Sequence, residues 1–245
     1  MAESARIKGS FKSLNVSSPP QAQEIQAIFD RIAPQYDQLN NGLSLGLHWI
    51  WKQMAVKWSQ ARAGSICLDV CCGSGDVAQL LARQVGTTGK VYGVDFSSQQ
   101  LAIAQARAPH LPITWIEGDA LHLPFADQHF DAATMSYGLR NVVDISASLE
   151  EIHRVLKPGA KAAILDFNRP QSSQLRAFQQ WYLDHFVVPT AQRLGLREEY
   201  AYISPSLDRF PTGSEQVDLA LQVGFEKAVH YAIAGGMMGV LVAQT

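Results

Sequence analysis

Along this chain, short uninterrupted apolar runs alternate with stretches whose apolar residues recur at helical spacing. After Pro20, Ile25, Ile28, Phe29 and Ile32 fall on one helical face. The segment from Tyr36 to Trp51 mixes turn residues with aromatics. The first apolar run, Ser65 to Asp69, ends in an acid. It leads through Cys71-Cys72-Gly73-Ser74-Gly75 into a helical pattern that begins at Asp76. A second run, Val91 to Asp95, again ends in an acid and precedes the helical stretch Ser98 to Ala108. Three more follow: Ile113 to Glu117 with Gly118-Asp119 after it, Phe130 to Ser136, and Ala162 to Phe167, entered through a Lys157-Pro158-Gly159 turn. Runs without polar interruption suit parallel strands buried on both faces. Their alternation with helical segments predicts a doubly wound α/β sheet.

Between Gln171 and Val223 the pattern predicts no strand. Leu175, Phe178, Trp181, Tyr182, His185 and Phe186 form an apolar stripe on a long helix, which suits either core or a lid over a ligand. Thr212 and Glu215 have the spacing of a capping box. Lys227 to Ile233 and Met237 to Ala243 flank Gly235-Gly236 and predict an antiparallel closing hairpin. The expected architecture is a mostly parallel seven-stranded sheet with N-terminal helices and a helical insertion before the last two strands. A flexible tail is expected at 1–20, followed by one domain over 21–245. Within it, 61–168 reads as the cofactor-binding core, 169–225 as a substrate-side insertion and 226–245 as the hairpin.

Composition narrows the function classes. Twenty Lys and Arg stand against 22 Asp and Glu, a net charge of -2, so an electrostatic nucleic-acid binder is not expected. The longest apolar stretch, Tyr231 to Ala243, has 13 residues and three glycines, short of the roughly 18 that a spanning helix needs. Cys67, Cys71 and Cys72 are clustered and have no distant partner, which excludes a disulfide framework and points to a reducing, cytoplasmic setting. No base neighbours the adjacent thiols in sequence, so they read as small fillers rather than nucleophiles. No C-x-x-C or H-E-x-x-H spacing occurs, and no metal is expected. The first 20 residues lack the apolar core of a signal peptide.

Gly73-Ser74-Gly75-Asp76-Val77-Ala78 satisfies the G-x-G-x-x-G/A pattern, and Asp95 lies 20 residues beyond Gly75, so a dinucleotide site is open on that evidence alone. The neighbours weigh against it. Asp69 and Asp76 flank the helix start where a pyrophosphate would sit, and like charges there repel. S-adenosylmethionine, with a sulfonium, an ammonium and no phosphate, removes the conflict. Asp69 then faces the cationic amino-acid end, Asp95 accepts from both ribose hydroxyls, and Asp119 accepts from the adenine amino group. All three acids end successive strands, the edge where doubly wound sheets bind ligands. An NAD-dependent dehydrogenase and a non-catalytic scaffold are the competing classes.

Two segments carry a family resemblance. Tyr36-Asp37-x-Leu39-Asn40, with Leu43-Ser44, His48 and Trp51, and Arg154-Val155-Leu156-Lys157-Pro158-Gly159, are together similar to the signatures of the ubiquinone/menaquinone-biosynthesis C-methyltransferases. Ser136-Tyr137-Gly138-Leu139-Arg140-Asn141-Val142 resembles that family's substrate-side loop. The likeness runs from about Ile25 to the C-terminus. Ala160, Asp166 and Asn168 depart from the family's usual Gly, Glu and Ser, and with Gly235-Gly236-Met237-Met238 they resemble its photosynthetic branch.

The resemblance implies a class I S-adenosylmethionine-dependent methyltransferase fold and a reduced prenylated naphthoquinone as acceptor. Within the branch that acceptor is 2-phytyl-1,4-naphthoquinol, with demethylmenaquinol or a ubiquinone precursor as the alternatives. It also implies cofactor contacts at Ser74, Asp95, Asp119, Ala120 and Ser136, beside Asp69, Gly73 and Gly75 of the glycine turn. Arg140 and Tyr36 are implied as the catalytic pair, with Asn141 orienting the ring or a water. A guanidinium stays protonated, so Arg140 reads as holding a phenolate or polarising a water. His48 is a rival base or a packed histidine. The apolar tail of such an acceptor implies peripheral membrane contact. A homodimer is left open.

Overall fold

The computed structural model describes residues 25, 26, 30, 31, 33, 44, 46–170, 172–193 and 203–245; the expected tail at 1–20 and Tyr36 lie outside the described residues. Helix α1 (Leu47–Trp58) precedes β1 (Ile66–Val70), α2 (Asp76–Val85), β2 (Lys90–Asp95), α3 (Ser98–Arg107), β3 (Ile113–Glu117), β4 (Phe130–Ser136), α4 (Ile145–Val155) and β5 (Leu156–Phe167). A helical excursion follows, with α5 (Ser173–Tyr182), a π-helical turn (Leu183–Val187), α6 (Val188–Arg193), α7 (Ile203–Arg209) and α8 (Gly213–Gln222). Strands β6 (Lys227–Ile233) and β7 (Met238–Gln244) close the chain.

The seven strands lie in the order β3-β2-β1-β4-β5-β7-β6. The first five pair in parallel, and β7 runs antiparallel to both β5 and β6. This is the doubly wound sheet with an edge hairpin that the alternating pattern predicted. Successive side chains of a strand face opposite ways. Leu68 and Val70 accordingly join a core with Leu149, Ile152 and Phe225, while Cys67 packs with Val77, Leu81 and Val56. Strand order reverses between β1 and β4, which opens a crevice at their carboxyl ends.

Local chemistry sets the helix starts. Ser97 accepts from the Gln100 amide and Asp144 from that of Ala147. Both arms of the Thr212–Glu215 capping box are formed. Helix α2 begins instead at Gly75, whose φ of 85° is a left-handed conformation that glycine takes without strain.

Two elements differ from the sequence reading. Strand β5 starts at Leu156 rather than Ala162, because the Lys157-Pro158-Gly159 turn is a bulge within it, between the pairs Phe130↔Leu156 and Ala132↔Lys161. Gly159 takes φ 77° there. The aromatic stripe is not core. Leu183 and Val187 turn inward, whereas Phe178, Trp181 and Phe186 are each about half exposed, at 55%, 47% and 49%. The π-helical turn sits just before Pro189, which has no N–H to donate, and the Val188 amide bonds Leu183 O across the widened turn.

Candidate active site

The carboxyl ends of β1, β2 and β4 and the loop after β3 open into a cleft of about 970 Å³, part of it open to solvent. Asp69, Gly73, Ser74, Asp95, Asp119, Ala120, Ser136 and Asn141 line it. Eight residues chosen from separate motifs therefore meet around one space. Four side chains on this wall bury polar atoms without a protein partner: Asp69 Oδ2, Ser136 Oγ, Asn141 Oδ1 and both amide atoms of Gln100. Buried polar groups are ordinarily paired. Four orphans around one cleft are the mark of a polar ligand.

Asp69, the penultimate residue of β1, is 1% exposed. Its Oδ1 accepts from Thr134 Oγ1 at 2.7 Å on the neighbouring β4. Burial raises its pKa to about 7, against the pull of the Thr134 hydroxyl, the Ala78 amide and the Lys52 ammonium. A cationic group beside Oδ2 would favour the ionised form, so binding such a group releases a proton below pH 7. Affinity for an ammonium-bearing ligand is expected to fall as pH drops below about 7, by up to tenfold per unit. Titration calorimetry in buffers of different ionisation enthalpy would read that proton, and a pH-independent affinity would contradict the assignment. The stability of the free protein has the opposite slope. Between the unfolded value near 4 and the folded value near 7, only the native state holds this proton, so unfolding free energy falls as pH rises through the window.

Asp95, at the end of β2, is 6% exposed and accepts from the Gly73 amide at 2.8 Å through Oδ2 and from the Ser97 amide at 3.0 Å through Oδ1. Burial raises its pKa, and the two amides oppose the shift. A carboxylate has about four acceptor positions, so two stay available for a ribose diol. Asp119 is exposed at the cleft rim and accepts from the Leu121 amide at 3.0 Å. Gln100 and the N-terminal residues Ile25, Gln26 and Asp30 were missed in the sequence. Ile25 lines the cleft, Gln26 Nε2 donates to Phe96 O at 2.7 Å, and Ser97 Oγ donates to Asp30. The helical face of Ile25 was visible. That Gln26 and Asp30 bond the residues just after β2 was not.

The charge at the glycine turn differs from the sequence expectation. Asp76 is not a bare acid at the head of α2. Its Oδ2 accepts from Lys52 Nζ at 2.7 Å and its Oδ1 from Arg107 Nη2 at 2.7 Å, and the two cations hold its pKa below the ordinary value despite burial. Two cations on one carboxylate leave the helix head positive. What speaks for a cationic ligand is the unpartnered Oδ2 of Asp69 instead.

Gly75 does not line the cleft. A Cβ there would meet Trp115 Cη2 at 2.5 Å and Ala104 Cβ at 3.1 Å, and Gly93 lies equally close under the same ring. Its role is to let Trp115 pack. Gly75→Ala is expected to cost about 1–3 kcal/mol from backbone strain alone, read as a lower urea midpoint; an unchanged midpoint would show that Trp115 and the turn relax without cost.

Arg140 also stands behind the wall rather than in it. Its Nη1 donates to Asp166 Oδ1 at 2.7 Å and to Tyr137 O at 3.1 Å, its backbone amide donates to Asp166 Oδ2 at 3.1 Å, and its guanidinium lies 5.0 Å from the Phe167 ring centre. Asn141, on the short 3₁₀ turn Leu139–Asn141, reaches the cleft and donates Nδ2 to the same Tyr137 carbonyl at 2.9 Å. Tyr137 itself has φ 61°, a strained conformation for a non-glycine residue. His48 is 3% exposed, bonds Ser44 Oγ through Nδ1 at 2.6 Å and leans on Trp49. It is not among the cleft-lining residues.

Burial, with Asp95 and Asp69 close by, pushes the Cys71 and Cys72 thiols well up, and Cys67 rises to about 12. None is a thiolate at neutral pH. Among the described residues, no group of three His, Cys, Asp or Glu side chains comes together as a metal site would need.

Comparison with known proteins agrees with this geometry. A protein of Trichormus variabilis named 2-phytyl-1,4-naphtoquinone methyltransferase is 67% identical over 223 residues, covering 89% of this chain and 97% of its own. The Synechocystis protein of that name is 58% identical over 236 residues, covering 95% and 99%. The Arabidopsis thaliana chloroplastic 2-phytyl-1,4-beta-naphthoquinone methyltransferase is 53% identical over 228 residues, covering 91% and 87%. Among solved structures, a Thermotoga maritima methyltransferase superposes with a TM-score of 0.64 at 21% identity, over 89% of this chain and 98% of that one. It shares the class I methyltransferase fold. The ubiE/COQ5 methyltransferase family model matches residues 18–244, almost the whole of the chain whose cleft is drawn above, and the chain belongs to that family.

Proposed function

We propose that this protein transfers a methyl group from S-adenosylmethionine to a ring carbon of reduced 2-phytyl-1,4-naphthoquinone, giving phylloquinol, and that it does so at a membrane surface. The observation that carries the reading is the set of unpartnered polar atoms of Asp69, Gln100, Ser136 and Asn141 in one cleft. Relatives at 53–67% identity, named for the phytyl naphthoquinone, support the choice of acceptor. When bound, S-adenosylmethionine supplies an electrophilic methyl group on a sulfonium.

The chain's own residues do the positioning. Asp69 holds the ammonium, Asp95 the ribose hydroxyls, and the turn at Asp119–Ala120 the adenine. Methylation at carbon needs an electron-rich ring, so the protein must stabilise developing phenolate charge. Arg140 is fixed by Asp166 behind Tyr137 and raises the potential at the cleft wall. Asn141 Oδ1, pointing where no protein donor reaches it, orients the ring hydroxyl or the water that takes its proton. The role of Tyr36 rests on the family resemblance alone.

Phe178, Trp181 and Phe186, with Tyr182 and His185 stacked among them, present an aromatic face of a kind that suits the boundary of water and lipid. No helix of the described residues is long and apolar enough to cross a membrane. The double substitution Phe178→Ser, Trp181→Ser should lower sedimentation with phospholipid vesicles by roughly tenfold or more, since each ring contributes about 1.5–3 kcal/mol when buried. Equal sedimentation would remove this face from the reading.

The deciding assay offers labelled S-adenosylmethionine with the reduced phytyl acceptor or with reduced demethylmenaquinone. Label in the phytyl product at the higher kcat/KM is expected. Preference for the polyprenyl acceptor would overturn the substrate, and transfer to neither would overturn the activity.

A further inference from the structure

Lys52 is a lysine buried inside the cofactor cleft, and no sequence motif pointed to it. It sits on α1, is 4% exposed and lines the cleft beside Asp69. One of its three N–H groups donates to Asp76 Oδ2 at 2.7 Å. The ammonium also lies 5.5 Å from the Trp49 ring centre and 5.9 Å from that of Tyr137. Ring faces accept a cation but take no conventional hydrogen bond. Such a group is costly to bury without an acceptor for its other protons.

An amino acid joined to a nucleoside brings two charges, an ammonium and a carboxylate. On the reading that this cleft binds S-adenosylmethionine, Asp69 answers the ammonium and leaves the carboxylate to find a cation. Arg107 is committed to Ser74 O and to Asp76 from the outer side of α2, with its side chain 32% exposed. Arg140 is behind Tyr137. Lys52 is the cation among the described residues that lines the cleft.

We propose that Lys52 binds the carboxylate of the methyl donor, sharing its ammonium between that group and Asp76. Charges then alternate from Asp69 through the zwitterionic ligand to Lys52, Asp76 and Arg107, and each has an opposite neighbour. The residue is a specificity determinant for the amino-acid end of the donor. It also ties α1, which packs on Leu165 and Val240 of the sheet through Ala55, to occupancy of the cleft.

The test compares two ligands: S-adenosylhomocysteine, and its decarboxylated analogue, which keeps the nucleoside and the ammonium. The wild type should prefer the first by about tenfold or more, the worth of one charge-assisted hydrogen bond. Lys52→Met should erase that preference while leaving affinity for the decarboxylated ligand within about threefold. Lys52→Arg should restore most of it. Should the Met variant not fold, Lys52→Gln, which keeps a donor for Asp76, gives the same readout. Preference retained in the neutral variant, or both ligands weakened equally, overturns the assignment. If the wild type binds both ligands equally, Lys52 has no such role although the donor reading survives. If it binds neither, the donor reading itself has failed.

Discussion

Arg140→Ala is expected to reduce turnover by about 10²–10³-fold at saturating methyl donor, the usual worth of one preorganised charge stabiliser, with S-adenosylhomocysteine affinity nearly unchanged. The same substitution should cost up to about 3–5 kcal/mol of stability, because it leaves the buried Asp166 carboxylate without its counter-charge, held only by the Arg140 and Phe167 backbone amides. That side chain is 4% exposed and takes Arg140 donors on both oxygens. The two effects must be separated. Asp166→Asn breaks the pair from the other side but keeps the guanidinium, so it should destabilise strongly and slow the reaction less. Single-turnover rates at a temperature where both variants are folded by circular dichroism, with urea unfolding alongside, would make the distinction. A normal rate for Arg140→Ala would assign the residue to architecture alone. Equal rate losses in the two variants would mean that the turn Tyr137–Asn141, not the charge, is what the pair supplies.

Asp95→Ala should lower affinity for S-adenosylhomocysteine by about 10–100-fold, since two hydrogen bonds to a carboxylate are lost. The substitution also strips the acceptor from the Gly73 and Ser97 amides, which hold the glycine turn against the start of α3. Part of the lost affinity would therefore be misplacement of the turn. Adenosine and its 2′,3′-dideoxy analogue separate the contributions. The wild type should discriminate between them, and the variant should bind both alike. If discrimination persists in Asp95→Ala, the ribose is held elsewhere, and Gln100, with both amide atoms unpaired at the cleft, is the next residue to test.

Much of the fold was legible in the order of apolar runs. A strand buried on both faces has to be mostly apolar, and β1, β2 and β4 announce themselves that way despite Asp131 and Thr134 within β4. The capping box at Thr212 was legible because it is a three-residue relation that forms within one turn. The bulge in β5 was misread as a turn, since Pro158 and Gly159 carry the same local signal whether or not pairing resumes on the far side. The stripe on α5 was left open between core and lid for a different reason. Periodicity tells which residues share a face but not what that face meets.

The site shows the same division. Asp69, Asp95 and Asp119 were readable because an acid at the end of a parallel strand has one place to go, the carboxyl edge of the sheet. Lys52 was not, because it reaches Asp76 across 24 positions of chain, and a lone lysine on a helix looks like a solvated one. The error about Asp76 has that origin: the acid was visible and its two cations were not. Gly75 was taken for a cofactor contact because the motif names it, whereas the ring it accommodates comes from β3.

By itself, then, the sequence determined the class of sheet, its closing hairpin and the acids on its edge, all of which follow from local periodicity and from strand ends a few residues away. Only the tertiary structure decided which charges are spent on one another and which stay open to a ligand. Pairing of buried ions depends on distances of a few ångströms between residues far apart in the chain, and no local pattern encodes those.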